Sequence, residues 1–212
     1  MGDILKRGGV LSRRDPTTPP GKSRPAGTGN AGTKNGTAGA MNQEDRALQE
    51  ELRAQMVRAS GLPLETRAAM RLSTLKLRRG VKGLREALAG ARAVLRQELA
   101  WLTLCGTVGL GKTHIAVAIG WEWLEQGRMC RYAWYLDAPL LILDDLGTEK
   151  LTDWAAEKLD TLIDHRYIKG LPLVVTTNVP AAQLSPRIAS RLQDRRLGRV
   201  VTLSGPDYRI SE

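Results

Sequence analysis

The residues best equipped for chemistry in this 212-residue chain are Gly106, Thr107, Val108, Gly109, Leu110, Gly111, Lys112 and Thr113, a Gly-x-x-x-x-Gly-Lys-Thr run. Its glycines let successive backbone N–H groups turn inward around a phosphate, and a helix opening near Lys112 aims its N-terminus at the same anion. Lys112 adds a point charge for the β- and γ-phosphates, and the Thr113 hydroxyl is a ligand for Mg²⁺. The run predicts a phosphate-binding loop for ATP. Lys112 and Asp144 are 32 positions apart, and Asp144 and Asp145 end the apolar run Leu140-Leu-Ile-Leu. A buried strand that delivers its first terminal carboxylate beside such a loop places it in the Mg²⁺ shell, the Walker B role. Asp144 is expected to hold the metal through water, and Asp145 to orient the attacking water as general base. A helix cap or loop carboxylate is the other reading of Asp145.

Asn178 closes the apolar run Val174-Val-Thr-Thr, where an amide reaches either the γ-phosphate or its water, or forms an Asx turn before Pro180. Arg187, Arg191, Arg195 and Arg196 are expected on one short helix. One of them could act on a neighbouring subunit's ATP, and a solvated basic face is the alternative. Arg209 follows Gly205-Pro-Asp-Tyr. His114 and His165 lack metal-like partners and are assigned to structure.

These residues need a scaffold, and the chain alternates between strand and helix patterns. Ala100–Cys105 reads as a strand, Lys112 to about Gln126 as a helix, Met129–Leu136 as strand-like and Leu140–Leu143 as a strand. Thr152 to about Ile168 reads as a helix with Thr152 as N-cap and Gly170 as stop, then Leu171–Asn178 as a strand. A short helix near Ser185–Leu197 and a strand from Arg199 complete the series. Such alternation means a parallel α/β sheet with its ligand at the strands' C-terminal ends. Only Asp137, Ala138 and Pro139 separate two of the strand-like runs. Parallel neighbours need a crossover of about a dozen residues, so the run 129–136 is expected to be an edge, hairpin or loop segment rather than an adjacent parallel strand. Upstream, Leu48, Leu52 and Met56 form one apolar stripe on a charged helix over 42–60, which could dock on the domain or on a partner. Residues 62–80 are basic and show no clear period. A second helix is expected over 81–98.

The net charge of +10 favours a polyanionic partner such as nucleic acid. Residues 1–41 carry seven Lys and Arg against two Asp, amid Gly, Pro, Thr and Ser. So little there can be buried that a disordered basic tail is expected. With no Phe and 4% aromatics, Leu, Ala, Val and Ile are expected to fill the core. Cys105 and Cys130 belong to no metal-like cluster and read as buried thiols of a reducing cytosol. No run is long enough to span a membrane and no secretory signal is present, so a cytoplasmic location is expected.

The order Gly-Thr-Val-Gly-Leu-Gly-Lys-Thr-His, Leu-Leu-Ile-Leu-Asp-Asp-Leu-Gly, Thr-Thr-Asn, Arg187-Ile-Ala-Ser-Arg191-Leu and Asp207-Tyr-Arg209 resembles the DnaC/IstB branch of AAA+ ATPases. These are replicative helicase loaders and transposition helper ATPases, and the resemblance runs from about Gly61 to Arg209. It implies a three-layer P-loop NTPase fold over 61–212, with Asn178 as sensor 1, Arg191 as arginine finger and Arg209 as sensor 2. It also implies assembly side by side with ATP at subunit interfaces, a grip on single-stranded DNA, and a replicative helicase or transposase as partner, with 42–60 as docking segment. The chain is shortened between Walker A and Walker B, where family members carry an extra helical stretch. Three functions follow: a helicase loader in DNA replication, an IstB-like transposition helper, or a module that holds ATP and barely hydrolyses it.

Overall fold

A computed structural model describes residues 42–132, 135–147, 152–180, 183–208 and 210. The basic arm read over 1–41 lies outside the described residues, as does Arg209.

Five short apolar runs become five parallel strands: β1 (Trp101–Cys105), β2 (Cys130–Arg131), β3 (Leu140–Leu143), β4 (Leu173–Thr177) and β5 (Gly198–Thr202). They stand in the order β2-β3-β4-β1-β5. The helices are α1 (Gln43–Ser60), α2 (Leu84–Leu95), α3 (Lys112–Glu125), α4 (Asp153–Lys169) and α5 (Pro186–Leu192). Side chains alternate across the sheet, so a strand buried on both faces is apolar at most of its positions. Leu102, Leu104, Ile142 and Val174 accordingly join the core beneath α2 and α3. Their neighbours Trp101, Leu141, Leu143 and Val175 join the core beneath α4 and α5. The result is a three-layer α/β sandwich.

Leu, Ala, Val and Ile fill most of the core, as composition suggests, and three tryptophans join them. Trp101, Trp121 and Trp123 are each at most 2% exposed. Each indole N–H finds an acceptor at 3.0 Å: Leu171 O, Thr66 Oγ1 and Met129 O respectively. A buried Trp keeps its large apolar contribution only when its single donor is satisfied.

The β2–β3 connection corrects the expectation drawn from spacing. β2 is an edge strand, but it pairs with β3 in parallel, Cys130 opposite Leu140 and Arg131 opposite Leu141. The strand stops at Arg131 instead of running to Leu136. Arg166, fully buried on α4, donates to Leu136 O at 3.0 Å, Ala138 O at 2.8 Å and Pro172 O at 2.5 Å. Two of these acceptors lie between β2 and β3, and burial pulls the Arg166 guanidinium down to about 10. A second correction concerns the arginine cluster. α5 ends at Leu192, so Arg187 and Arg191 are helical whereas Arg195 and Arg196 lie in the following turn. Asp194 bends the chain there, accepting the Arg196 N–H at 2.9 Å.

Among the described residues α1 packs near its C-terminal end, through Met56 and Val57, while Leu48 and Leu52 remain 61% and 50% exposed. Among the described residues no helix is long and apolar enough to cross a membrane.

Candidate functional site

The C-terminal ends of β1, β4 and β3 lie side by side, with Cys105 opposite Thr177 and Leu143 opposite Val175. Everything polar that follows these strands therefore converges. After Cys105 the chain turns through Gly106 at φ 143°, Gly109 at φ 71° and Gly111 at φ 89°, and α3 starts at Lys112. At two of these, close approach as well as φ demands glycine. A Cβ on Gly106 would lie 2.3 Å from Leu203 O, and one on Gly109 would lie 2.9 Å from the backbone N of Tyr208.

Lys112 is only 5% exposed, and its ammonium donates to Thr107 O and Asn178 Oδ1, both at 2.7 Å. Asn178 in turn donates from Nδ2 to Asp145 Oδ1 at 3.1 Å. The loop lysine, the end of β4 and the second aspartate thus form one line of hydrogen bonds. Beside it, Thr113 Oγ1 donates to Asp144 Oδ1 at 3.1 Å. Asp145 sits at φ 57°, a left-handed position that Asp tolerates better than most residues. Its N–H donates to Thr176 Oγ1 at 2.9 Å.

The sequence-derived residues Gly106–Thr113, Asp144, Asp145 and Asn178 are therefore together. Thr113 and Asp144 offer hard oxygen donors at the foot of the loop, a set that fits Mg²⁺. That ion takes few protein ligands and fills its octahedron with water and phosphate oxygens. Among the described residues no group of three or more His, Cys, Asp and Glu could hold a metal on its own. Arg191 lies apart from this cluster. It forms an ion pair with Asp164 at 2.9 Å, without hydrogen-bond geometry, and stacks on Tyr167 with its guanidinium 5.6 Å from the ring centre. His114 hydrogen-bonds Arg71 O at 2.8 Å, and His165 pairs with Asp137 at 2.8 Å.

Sequence reasoning missed three contributors. Thr176 is fully buried and donates to Asp144 Oδ1 while it accepts from Asp145 N, so it sets both aspartates. Tyr132 donates its hydroxyl to Asp144 Oδ2 at 2.7 Å. Burial, reinforced by that carboxylate, pushes its phenol well above its ordinary range, so it stays a donor. The third is the aperiodic segment 64–80. A cavity of about 390 Å³ adjoins the loop, lined from this segment by Met70, Leu75 and Arg78, and from the C-terminal side by Tyr208. Arg78 donates to Gly109 O at 2.8 Å and lies 4.6 Å over the Tyr208 ring. Arg71 pins the segment to α3 through Glu125, at 2.6 Å for one of its two hydrogen bonds. The Thr-Thr before Asn178 was a visible hint for Thr176. Tyr132 and the 64–80 segment carried no local signal, because their role depends on which strand ends they meet. A second groove, of about 1180 Å³, runs from Thr107 and Asn178 past Arg195 and Arg199 along the edge strand β5.

No family model matches the chain. An ATP-binding protein of an insertion sequence in Mycobacterium tuberculosis is 30% identical over a 136-residue alignment, covering 50% of this chain and 54% of the relative. The chain thus spans about half the length of that curated relative. A solved DnaC helicase loader superposes with TM-score 0.55 at 22% identity, over 66% of this chain and 99% of the other. A replication initiator, DnaA, solved with AMPPCP and single-stranded DNA, gives TM-score 0.58 at 19% identity, over 69% of this chain and 52% of the other.

Proposed function

We propose that this chain, DnaC/IstB-like and AAA+ in fold, binds Mg²⁺–ATP at Gly106–Thr113 and hydrolyses it as a helicase loader in DNA replication. One observation carries the reading: the hydrogen-bonded line Lys112–Asn178–Asp145 beside the Thr113–Asp144 pair. In this arrangement the loop N–H groups and the α3 N-terminus cradle the β-phosphate, and Lys112 answers the charge of the β- and γ-phosphates. Thr113 and Asp144 would hold Mg²⁺, which supplies charge neutralisation for the leaving phosphates. Asp145 orients the attacking water and accepts its proton. Asn178 touches both Lys112 and Asp145, so it is placed to report the γ-phosphate to each. The cavity lined by Met70, Leu75 and Tyr208 offers an apolar wall for the base.

The partners fit the surface. Leu48 and Leu52 on α1 offer an apolar stripe for a replicative helicase, and Arg195 and Arg199 line a groove with the charge for single-stranded DNA. In a side-by-side assembly Arg191 would reach a neighbour's nucleotide only by giving up Asp164, and Arg209 would complete the site as sensor 2. The two buried thiols suit a reducing cytoplasm.

The test is ATP turnover by the full chain with and without single-stranded DNA, with capture of the replicative helicase. Asp145→Asn is expected to abolish turnover yet keep nucleotide affinity, and Arg191→Ala to abolish only assembly-dependent turnover. Turnover that survives Asp145→Asn would sink the assignment of the base. A transposition helper is the second reading, favoured by the insertion-sequence relative, and selective capture of a transposase would establish it. Nucleotide binding without turnover under every condition would leave the third reading, a nucleotide-gated module. The short β2–β3 connection favours that one.

A further inference from the structure

The turn that ends α1 rests on the residue that touches Asp144. Ser60, 1% exposed, donates from Oγ to Val57 O at 2.7 Å and accepts from Leu62 N at 3.2 Å, which closes the helix. Its carbonyl accepts the Tyr132 N–H at 2.7 Å, and the Arg131 guanidinium donates to Ala59 O. Gly61, at φ 73°, lets the chain turn against Tyr132, since a Cβ there would lie 3.3 Å from Tyr132 O. Tyr132 is therefore held at two points. Its amide is tied to the last turn of α1, and its hydroxyl reaches Asp144 Oδ2 at 2.7 Å.

From this geometry we propose that Tyr132 is a positioning residue that couples the seating of α1 to the Mg²⁺–ATP site. The inference rests on the nucleotide reading above. A carboxylate pinned at one oxygen still swings about its last torsion. Thr113 and Thr176 hold Oδ1, and the Tyr132 phenol holds Oδ2, so Oδ1 is kept facing Thr113. The first turns of α1 carry the exposed Leu48 and Leu52 and, among the described residues, add no side chain to the core. A protein that grips them pulls on Ser60 and so on Tyr132. Coupling between two binding events is reciprocal, so Mg²⁺–nucleotide must in turn be felt in the last turn of α1.

Tyr132→Phe in the full chain removes the hydroxyl and keeps the ring and the amide contact. Two quantities are measured: the Mg²⁺ concentration that half-saturates tight binding of a fluorescent ATP analogue, and amide exchange at positions 56–62 with and without Mg²⁺–nucleotide. The Mg²⁺ requirement is expected to rise about tenfold, the worth of one hydrogen bond to a charged group, while Mg²⁺-free affinity stays within about twofold. The exchange response at 56–62 is expected in the natural chain and lost in the variant. Gly61→Ala approaches from the other end, straining the α1 turn away from the nucleotide, and should raise the Mg²⁺ requirement in the same direction. A Mg²⁺ requirement unchanged in both variants, or an undiminished exchange response in Tyr132→Phe, overturns the coupling. Failure of the natural chain to bind nucleotide at all overturns the ATP reading itself.

Discussion

Lys112→Met separates binding from folding. The ammonium is nearly inaccessible and makes two hydrogen bonds of 2.7 Å. Losing two charge-assisted bonds costs about 1.5–3 kcal/mol each, but burying an ammonium costs several kcal/mol in desolvation. Met keeps most of the stem volume. The opposing contributions nearly cancel, so stability is expected to change by no more than about 2 kcal/mol in either direction. Nucleotide affinity has no such compensation. A unit charge about 4 Å from a phosphate oxygen is worth about 4 kcal/mol at an effective dielectric constant of 20. Discounting that by roughly a third for the neighbouring loop amides leaves close to 3 kcal/mol, or roughly 100-fold in Kd. Titration with a fluorescent ATP analogue and urea unfolding of the same sample measure both quantities. A folded variant with Kd within about threefold of the natural chain refutes the phosphate role of Lys112. A stability loss above about 4 kcal/mol refutes the cancellation and makes the ammonium a structural strut.

Two further outcomes follow from the scaffold. Arg166→Leu leaves Leu136 O and Ala138 O in the β2–β3 connection without their donor and takes one of two donors from Pro172 O, and it should cost about 3 kcal/mol in urea unfolding, since relief of desolvation offsets only part of the loss; a neutral result would mean the connection holds itself. Arg71 holds the Glu125 carboxyl below its ordinary value chiefly by hydrogen bonding, and Arg196 and Tyr167 do the same for Asp194. A depressed folded-state value gives stability that is complete above the unfolded value and lost as pH falls through the folded one. Unfolding free energy should therefore decline below about pH 4.5. Glu125→Gln should flatten part of that slope and loosen segment 64–80 in amide exchange, and an unaltered slope would show that the ion pair contributes nothing.

The loop, the Asp pair and Asn178 were legible because each is a local pattern with a local cause. Glycines permit the turn, an apolar run buries a strand, and a polar residue at its end emerges at the sheet's C-terminal edge. The helix caps were legible for the same reason: Thr152 accepts the Ala155 N–H at 3.3 Å, and Gly170 stops α4 at φ 63°. By itself, then, the sequence determined the glycine-rich loop, the polar residues at the strand ends and the alternation that makes a parallel sheet. It did not determine strand order. Only the tertiary structure places β4 between β1 and β3, and that placement hydrogen-bonds Asn178 to both Lys112 and Asp145. Spacing also misjudged β2, because a strand's length is set by what it pairs with, and the residues before β3 are held by a buried arginine 35 positions downstream of Arg131. Tyr132 and the segment 64–80 belong to the same class. Their partners Asp144, Gly109 and Glu125 are distant along the chain, and such contacts exist only once the layers close.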